Sequence, residues 1–142
     1  MSTELHVLLA ADRVPDVARW QAAIDAAGFD VKLDTSLVVE KDTGFLPVKI
    51  KGRESGFEFD LSAASDVLET YPELETKVIG RDRSAHFGWG GDIAEMACAL
   101  VASAVLATLT DGMLFDPQEG TLSGSASAVD KAKSELAAAG FD

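Results

Sequence analysis

The order of hydrophobic and polar residues along the chain predicts strands and helices that intermix. An apolar run over residues 5–10 predicts a first strand, and apolar residues spaced three and four apart predict a helix over 13–28. Pro15 suits the first turn of that helix, and Gly28 suits its left-handed end. A second strand is expected over 31–39.

The clearest pattern is an alternation with a period of two residues. Its apolar positions are Leu46, Val48, Ile50, Phe57, Phe59 and Leu61. Polar residues occupy the positions between, and a turn is expected at 52–56. This pattern predicts an antiparallel hairpin with one apolar and one polar face. Pro47 indicates that the first strand of the hairpin lies at a sheet edge.

The second half of the chain continues the mixture of elements. The pattern predicts a short helix over 62–74 that ends at Pro72, followed by a long strand over 77–89. Residues 93–110 are apolar almost all round, which predicts a central buried helix. The remaining expectations are a strand at 113–115, a turn at 116–120, a small-residue linker at 123–127 and a helix at 128–139.

These elements predict an α+β fold. A mostly antiparallel sheet with helices packed on one face is the favoured architecture, with the helix over 93–110 at the centre of the covered face. A ferredoxin-like topology is the favoured arrangement of strands. Because no low-complexity or linker segment divides the chain, residues 1–142 are expected to form a single domain.

Charge narrows the range of partners. The 142 residues include 24 acidic and 12 basic ones, and the net charge is −12. Nucleic acids and anionic membranes are poor partners for such a chain, because both require clustered Lys and Arg. The N-terminus has no signal-peptide pattern, and the lone Cys98 cannot form an intrachain disulfide. A cytoplasmic protein is therefore expected.

The two histidines, His6 and His86, do not match a known catalytic or metal-binding spacing. The chain has no HExxH, CxxC or HxH sequence. A structural or surface role is favoured for both histidines, and no metal or cofactor is expected. If an active site exists, His86 is the first residue to consider, paired with Asp82, Asp92 or Asp116.

The glycine-rich stretch before the apolar helix has a structural interpretation. Asp92 is expected to cap that helix by accepting from the amide of Glu95, with Glu95 reaching back as in a capping box. Gly88, Gly90 and Gly91 could cradle a phosphate, but Asp92 would repel it, and close backbone packing explains the glycines equally well. Cys98, inside the helix, is expected to be buried and unreactive.

Two tryptophans and one turn residue complete the candidates. Trp20 lies on the apolar stripe of the first helix and is expected in the core, whereas Trp89 at a strand end could be an exposed binding anchor. Asp116 precedes Pro117 and is expected to begin a turn, although a functional role stays open.

The combination of FGWGGDIAE, an alanine-rich helix and FDPQEG resembles small uncharacterised bacterial α+β proteins. Some proteins of that kind look like immunity partners of polymorphic toxins. The resemblance covers residues 87–120, the C-terminal half, and it transfers no functional residue.

Three functions remain open at this point. The first is a non-enzymatic acidic protein-binding domain, an inhibitor or immunity protein for a basic partner, and its expected binding residues are Glu58, Asp60, Asp66, Glu69 and Trp89. The second is a small-molecule-binding domain or enzyme with a pocket near Trp89 that includes His86, Asp92 and Asp116. The third is a structural subunit of a homo-oligomer.

Overall fold

The computed structural model describes residues 3–141. Along this part of the chain the elements are β1 (Thr3–Leu9), α1 (Val17–Ala26), β2 (Val31–Leu33), β3 (Gly44–Ile50), β4 (Arg53–Ala63), α2 (Ala64–Thr70), β5 (Arg83–Trp89), α3 (Ile93–Thr110), β6 (Met113–Asp116), β7 (Thr121–Ser123) and α4 (Ser125–Ala139). Two short 3₁₀ turns also occur, Ala11–Arg13 between β1 and α1 and Pro72–Leu74 between α2 and β5.

The seven strands form one sheet in the order β2-β3-β4-β5-β1-β6-β7. Every pairing between neighbours is antiparallel. The α+β class and the antiparallel sheet are therefore confirmed. The ferredoxin-like topology is not confirmed. That topology repeats a β-α-β unit, whereas here β2 to β5 follow one another across the sheet and β1 is inserted after β5.

Three helices cover one face of the sheet. Residues of α1, α3 and α4 share a large apolar core with the side chains of the central strands. The short α2 and the turn Pro72–Leu74 lie on the opposite face, where a smaller core contains Leu8, Val67, Leu74, Val78 and Phe115. The expected one-sided covering therefore holds for the three long helices, while α2 lies on the other side.

The aromatic centre of the main core joins α1 to the sheet and to α3. Trp20 is fully buried, and its Nε1–H donates to the carbonyl of Ala102 at 3.1 Å. Its ring lies 5.8 Å from that of Phe59 and 6.0 Å from that of Phe87. The core position expected for Trp20 is confirmed, and its indole hydrogen bond fixes α1 against α3.

The central helix α3 spans the predicted residues. By length and composition it could cross a membrane, but 72 % of it is buried inside the fold, as in the core helix of a soluble protein. Its first turn is capped by Asp92 and its end is marked by Asp111, which adopts a left-handed conformation. Gly112 then passes close to β1, since a Cβ there would lie 2.9 Å from the carbonyl of Leu8.

The predicted hairpin is confirmed, with a different turn. The chain reverses at Lys51 and Gly52, both at positive φ, and β4 already begins at Arg53. Two left-handed residues are typical of the tight turns that match the twist of a hairpin. The edge position predicted for this strand is wrong, because β3 lies between β2 and β4. Pro47 is tolerated there because it lies beyond the last residue of β3 that pairs with the short edge strand β2, so its missing N–H removes no bond to that strand.

Other boundaries differ because local polar groups end or begin elements. α1 begins at residue 17, since the Asp16 carboxylate accepts from the amide of Arg19 at 2.8 Å. β2 ends at residue 33, because Asp34 forms a turn by accepting from the amide and hydroxyl of Ser36. β5 is shorter than expected, since residues 77–81 form hydrogen-bonded turns. The expected linker is partly β7, and α4 begins at residue 125.

Replacing Trp20 tests the contact between α1 and α3. We expect Trp20→Phe to lower the free energy of unfolding by about 1–3 kcal/mol, because it removes buried volume and an indole hydrogen bond. The exposed Arg19→Ala in the same helix is the control and should change stability by less than about 0.5 kcal/mol. Urea unfolding followed by far-UV circular dichroism measures both. Equal stabilities of the two variants would contradict the assigned contact.

Candidate functional site

The candidate site lies on the face of the sheet opposite the main core. Side chains alternate along each strand, and the strand pairings place Asp60, His86 and His6 in one row across β4, β5 and β1. Glu58, Gly88 and Glu4 form the adjacent row on the same face. Antiparallel pairing thus brings Glu4 beside His86, which lies 82 positions away in the chain.

Glu4 connects the two imidazole rings. Its Oε1 lies 3.2 Å from Nε2 of His6, and its Oε2 lies 3.3 Å from Nε2 of His86. On the other side of the His86 ring, Nδ1 lies 3.4 Å from Oδ2 of Asp60. The ring centroids of the two histidines are 5.1 Å apart. The result is a continuous cluster of two carboxylates and two imidazoles.

Burial and charge shift the protonation of this cluster. Burial lowers the pKa of His6, and the opposing attraction of Glu4 offsets this only in part. Partial burial raises the pKa of Glu4, but hydrogen bonds and charge interactions with both histidines outweigh it, so that the pKa is lowered. Both shifts favour an ionised Glu4 beside a neutral His6 near neutral pH.

A depression of about 300 Å³ opens beside this cluster. It is lined by Thr3, Glu4, Phe45, Glu58, His86, Gly88, Trp89, Gly90 and Glu95. Gly88 makes room for the His86 imidazole, because a Cβ at that position would lie 3.1 Å from its Cε1. Three carboxylates in so small a space make the depression suited to a cationic group.

Phe45 is the most exposed aromatic side chain around the depression, with 52 % of its surface accessible. Its ring lies over Gly56 of the neighbouring strand, since a Cβ on Gly56 would overlap the ring at 2.5 Å. Gly56 has a φ of 154°, which a side chain rarely adopts. The ring therefore occupies space that only glycine leaves free.

The structure brings together some of the residues predicted for a site. Glu58, His86 and Trp89 line the same depression, and Asp60 adjoins it through His86. Trp89 also packs against the main core and is only partly exposed. Asp66 and Glu69 are exposed on α2 and do not line the depression.

The predicted pocket of His86, Asp92 and Asp116 does not form. Asp116 lies on the helix-covered side, beside Leu114 and α4, and its carboxylate accepts from the amides of Gln118 and Glu119. This is the turn role expected for it. Asp82 likewise accepts from the amide of Ala11 rather than contacting His86.

Asp92 has the predicted capping role, but among the described residues Glu95 does not complete the capping box by accepting from the amide of Asp92. Its Oδ1 accepts from the amide of Ala94 at 2.7 Å and from that of Glu95 at 3.3 Å. Together with Glu95 it lines a separate groove of about 870 Å³ beside β2 and β3. Glu95 borders both this groove and the depression. The carboxylate of Asp92 stabilises the start of α3.

Sequence reasoning missed Glu4, His6 and Phe45 as parts of a site. His6 stands in an apolar run, so it was interpreted as structural, and Phe45 precedes the alternating segment that drew attention to the hairpin. The sequence contains one relevant signal. Alternate residues of a strand face the same side of the sheet, so Glu4, His6 and Leu8 share one face. Only the pairing of β1 with β5 shows that His86 joins them.

Substitutions of Asp92 distinguish its role as a hydrogen-bond acceptor at the start of α3 from the effect of its negative charge. We expect Asp92→Ala to lower the free energy of unfolding by about 1 kcal/mol, because two amides at the start of α3 lose their acceptor. Asp92→Asn retains an acceptor and should stay within about 0.5 kcal/mol of the parent. Urea unfolding checks both. A large loss in Asp92→Asn would instead assign the role to the negative charge.

Cys98 is a testable case of a buried thiol. It lies inside α3, and burial raises its pKa to about 11 from 9.0. Because the thiolate is the reactive form, only about one in a thousand Cys98 thiols is ionised, and therefore reactive, near pH 8. We expect a thiol reagent such as 5,5′-dithiobis(2-nitrobenzoate) to label the folded protein very slowly and the guanidinium-unfolded protein rapidly. Fast labelling of the folded chain would show that the helix opens.

Comparison with protein-family models, with curated proteins and with solved structures finds no match to this chain. The resemblance of residues 87–120 to small bacterial α+β proteins therefore stays a prediction. What the site can do must be inferred from its own geometry: a small acidic depression, bordered by an exposed aromatic ring and joined to a pair of histidines.

Proposed function

We propose that this chain is a non-enzymatic acidic protein-binding domain that receives a basic side chain of a partner protein in the depression beside β1, β3, β4 and β5. The observation that carries this proposal is the convergence of Glu4, Glu58 and Glu95 on one depression of about 300 Å³. A lysine or arginine side chain supplies the charge that three carboxylates attract.

Phe45 gives this depression an apolar border. About half of its surface is exposed, although its ring is held over Gly56. Rigid, partly exposed aromatic rings beside polar pockets are typical anchors of protein interfaces. A partner that inserts a basic side chain would bury Phe45 at the same time. The carboxylates then supply charge recognition and the ring supplies buried apolar area.

The charge of the whole chain supports the same partner class. A net charge of −12 attracts basic proteins at long range and accelerates their encounter. Asp60, Asp66 and Glu69 lie outside the depression, and their negative charges would add to this steering. An inhibitor or immunity protein for a basic partner in the cytoplasm is the form of this function that we propose.

The acidic lining of the depression favours a basic side chain over a free metabolite. Binding pockets for small molecules occupy about 300–1,000 Å³ and are mostly apolar. This depression lies at the lower end of that range and has three carboxylates in its lining. An arginine side chain carried by a protein fits these dimensions and gains further contacts outside them.

The proposal is tested with a fluorescently labelled hexa-arginine peptide as the probe. We expect Glu58→Gln to weaken binding about fivefold, since one of three converging carboxylates is lost. Phe45→Ala should weaken it severalfold by removing the apolar border. Fluorescence anisotropy at low and high NaCl measures the affinities, and the salt dependence should be smaller in Glu58→Gln.

Asp130→Asn is the matched control, because it removes the same charge from the exposed surface of α4 on the other side of the sheet. It should bind the peptide as the parent does. If Glu58→Gln and Asp130→Asn weaken binding equally, the peptide responds only to net charge and the depression is not the site. Binding that is independent of salt would also contradict the proposal.

A further inference from the structure

The pairing of β1 with β5 assembles a set of ligand atoms suited to a transition metal. One ligand atom from each of Glu4, His6 and His86 lies within 4.8 Å of the other two. His6 and His86 are opposite residues in the strand pairing, and Glu4 lies two residues from His6 on the same face. The backbone of the central strands therefore fixes the separation of all three.

We propose that Glu4, His6 and His86 bind one divalent transition-metal ion of the Zn²⁺ class. Two imidazoles and one carboxylate are a common ligand set for such ions, whereas Mg²⁺ and Ca²⁺ prefer oxygen ligands alone. Two ligand atoms of a tetrahedral zinc ion are separated by about 3.3 Å. The contacts of Glu4 with the two histidines are close to this separation, with one carboxylate oxygen toward each ring: Oε1 lies 3.2 Å from Nε2 of His6, and Oε2 lies 3.3 Å from Nε2 of His86.

The surroundings orient the ring of His86 for this role and bury Nδ1 of His6. Asp60 lies against Nδ1 of His86, the ring nitrogen that faces away from Glu4, and such a carboxylate holds the N–H there and leaves Nε2 to the metal. Nδ1 of His6 is buried without a hydrogen-bond partner in the described part of the chain. Nε2 is consequently the nitrogen of His6 that an ion can reach.

Charge and access favour a cation at this position. Glu4 and Asp60 bring two carboxylates to the partly buried cluster, and one divalent ion balances the charge of two carboxylates. Side-chain exposures of 43 % for Glu4 and 26 % for His86 leave a route from solvent. Three protein ligands leave the fourth position of a tetrahedral ion for water or for a group of a partner.

The test is a titration of the full chain, without a polyhistidine tag and after treatment with a chelator, with Zn²⁺ in an isothermal calorimeter. We expect one equivalent to bind saturably, and binding of Co²⁺ to give the visible absorption of a tetrahedral complex. His86→Ala and Glu4→Gln should each weaken Zn²⁺ binding by at least about 100-fold. Asp60→Asn should weaken it about 10-fold, since Asp60 only orients His86.

Glu58→Gln is the matched control, because Glu58 lines the depression but is not one of the three ligands. It should bind Zn²⁺ as the parent does while losing affinity for the hexa-arginine peptide. Far-UV circular dichroism confirms that each variant is folded. Binding without a defined stoichiometry, or binding unchanged in both His86→Ala and Glu4→Gln, would overturn the metal site and leave the peptide result unaffected.

Discussion

The pairing of β1 with β5 is the constraint on which the rest of the structure depends. Seven residues of each strand are in register, from Thr3 opposite Trp89 to Leu9 opposite Arg83. This register directs Val7 and Phe87 into the main core and places His6 beside His86 on the other face. A slip of one residue would reverse both faces of β1, so the core and the candidate site are specified by the same hydrogen bonds.

The sequence predicted correctly those elements that depend on interactions between residues close together in the chain. The apolar helix α3, its cap at Asp92 and the alternating hairpin were all identified, because each depends on residues a few positions apart. The strands β2 and β5 were predicted too long, also for a local reason. Apolar residues suggested longer strands, but side-chain and backbone hydrogen bonds around Asp34 and in residues 77–81 formed turns instead.

The order of strands and the site depend on contacts between distant residues, and the sequence contains no comparable signal for them. Nothing near His6 indicates that its neighbour is His86, and nothing near Asp116 indicates that the sheet separates it from that histidine. Glu58 and Trp89 were identified for their residue types, as part of an acidic surface and as an exposed aromatic anchor. Their convergence with Phe45, which was not identified, required the fold.

The two proposed activities share Glu4 and His86, and this sharing has an electrostatic consequence. Without a metal, Glu4, Glu58 and Glu95 give the depression three negative charges. A divalent ion held by Glu4 and the histidines would cancel two of these negative charges and would engage the carboxylate of Glu4 itself. The attraction for a basic side chain would then depend chiefly on Glu58 and Glu95. Zinc and a basic partner would therefore oppose each other at this face, unless the partner itself supplies the fourth ligand of the ion.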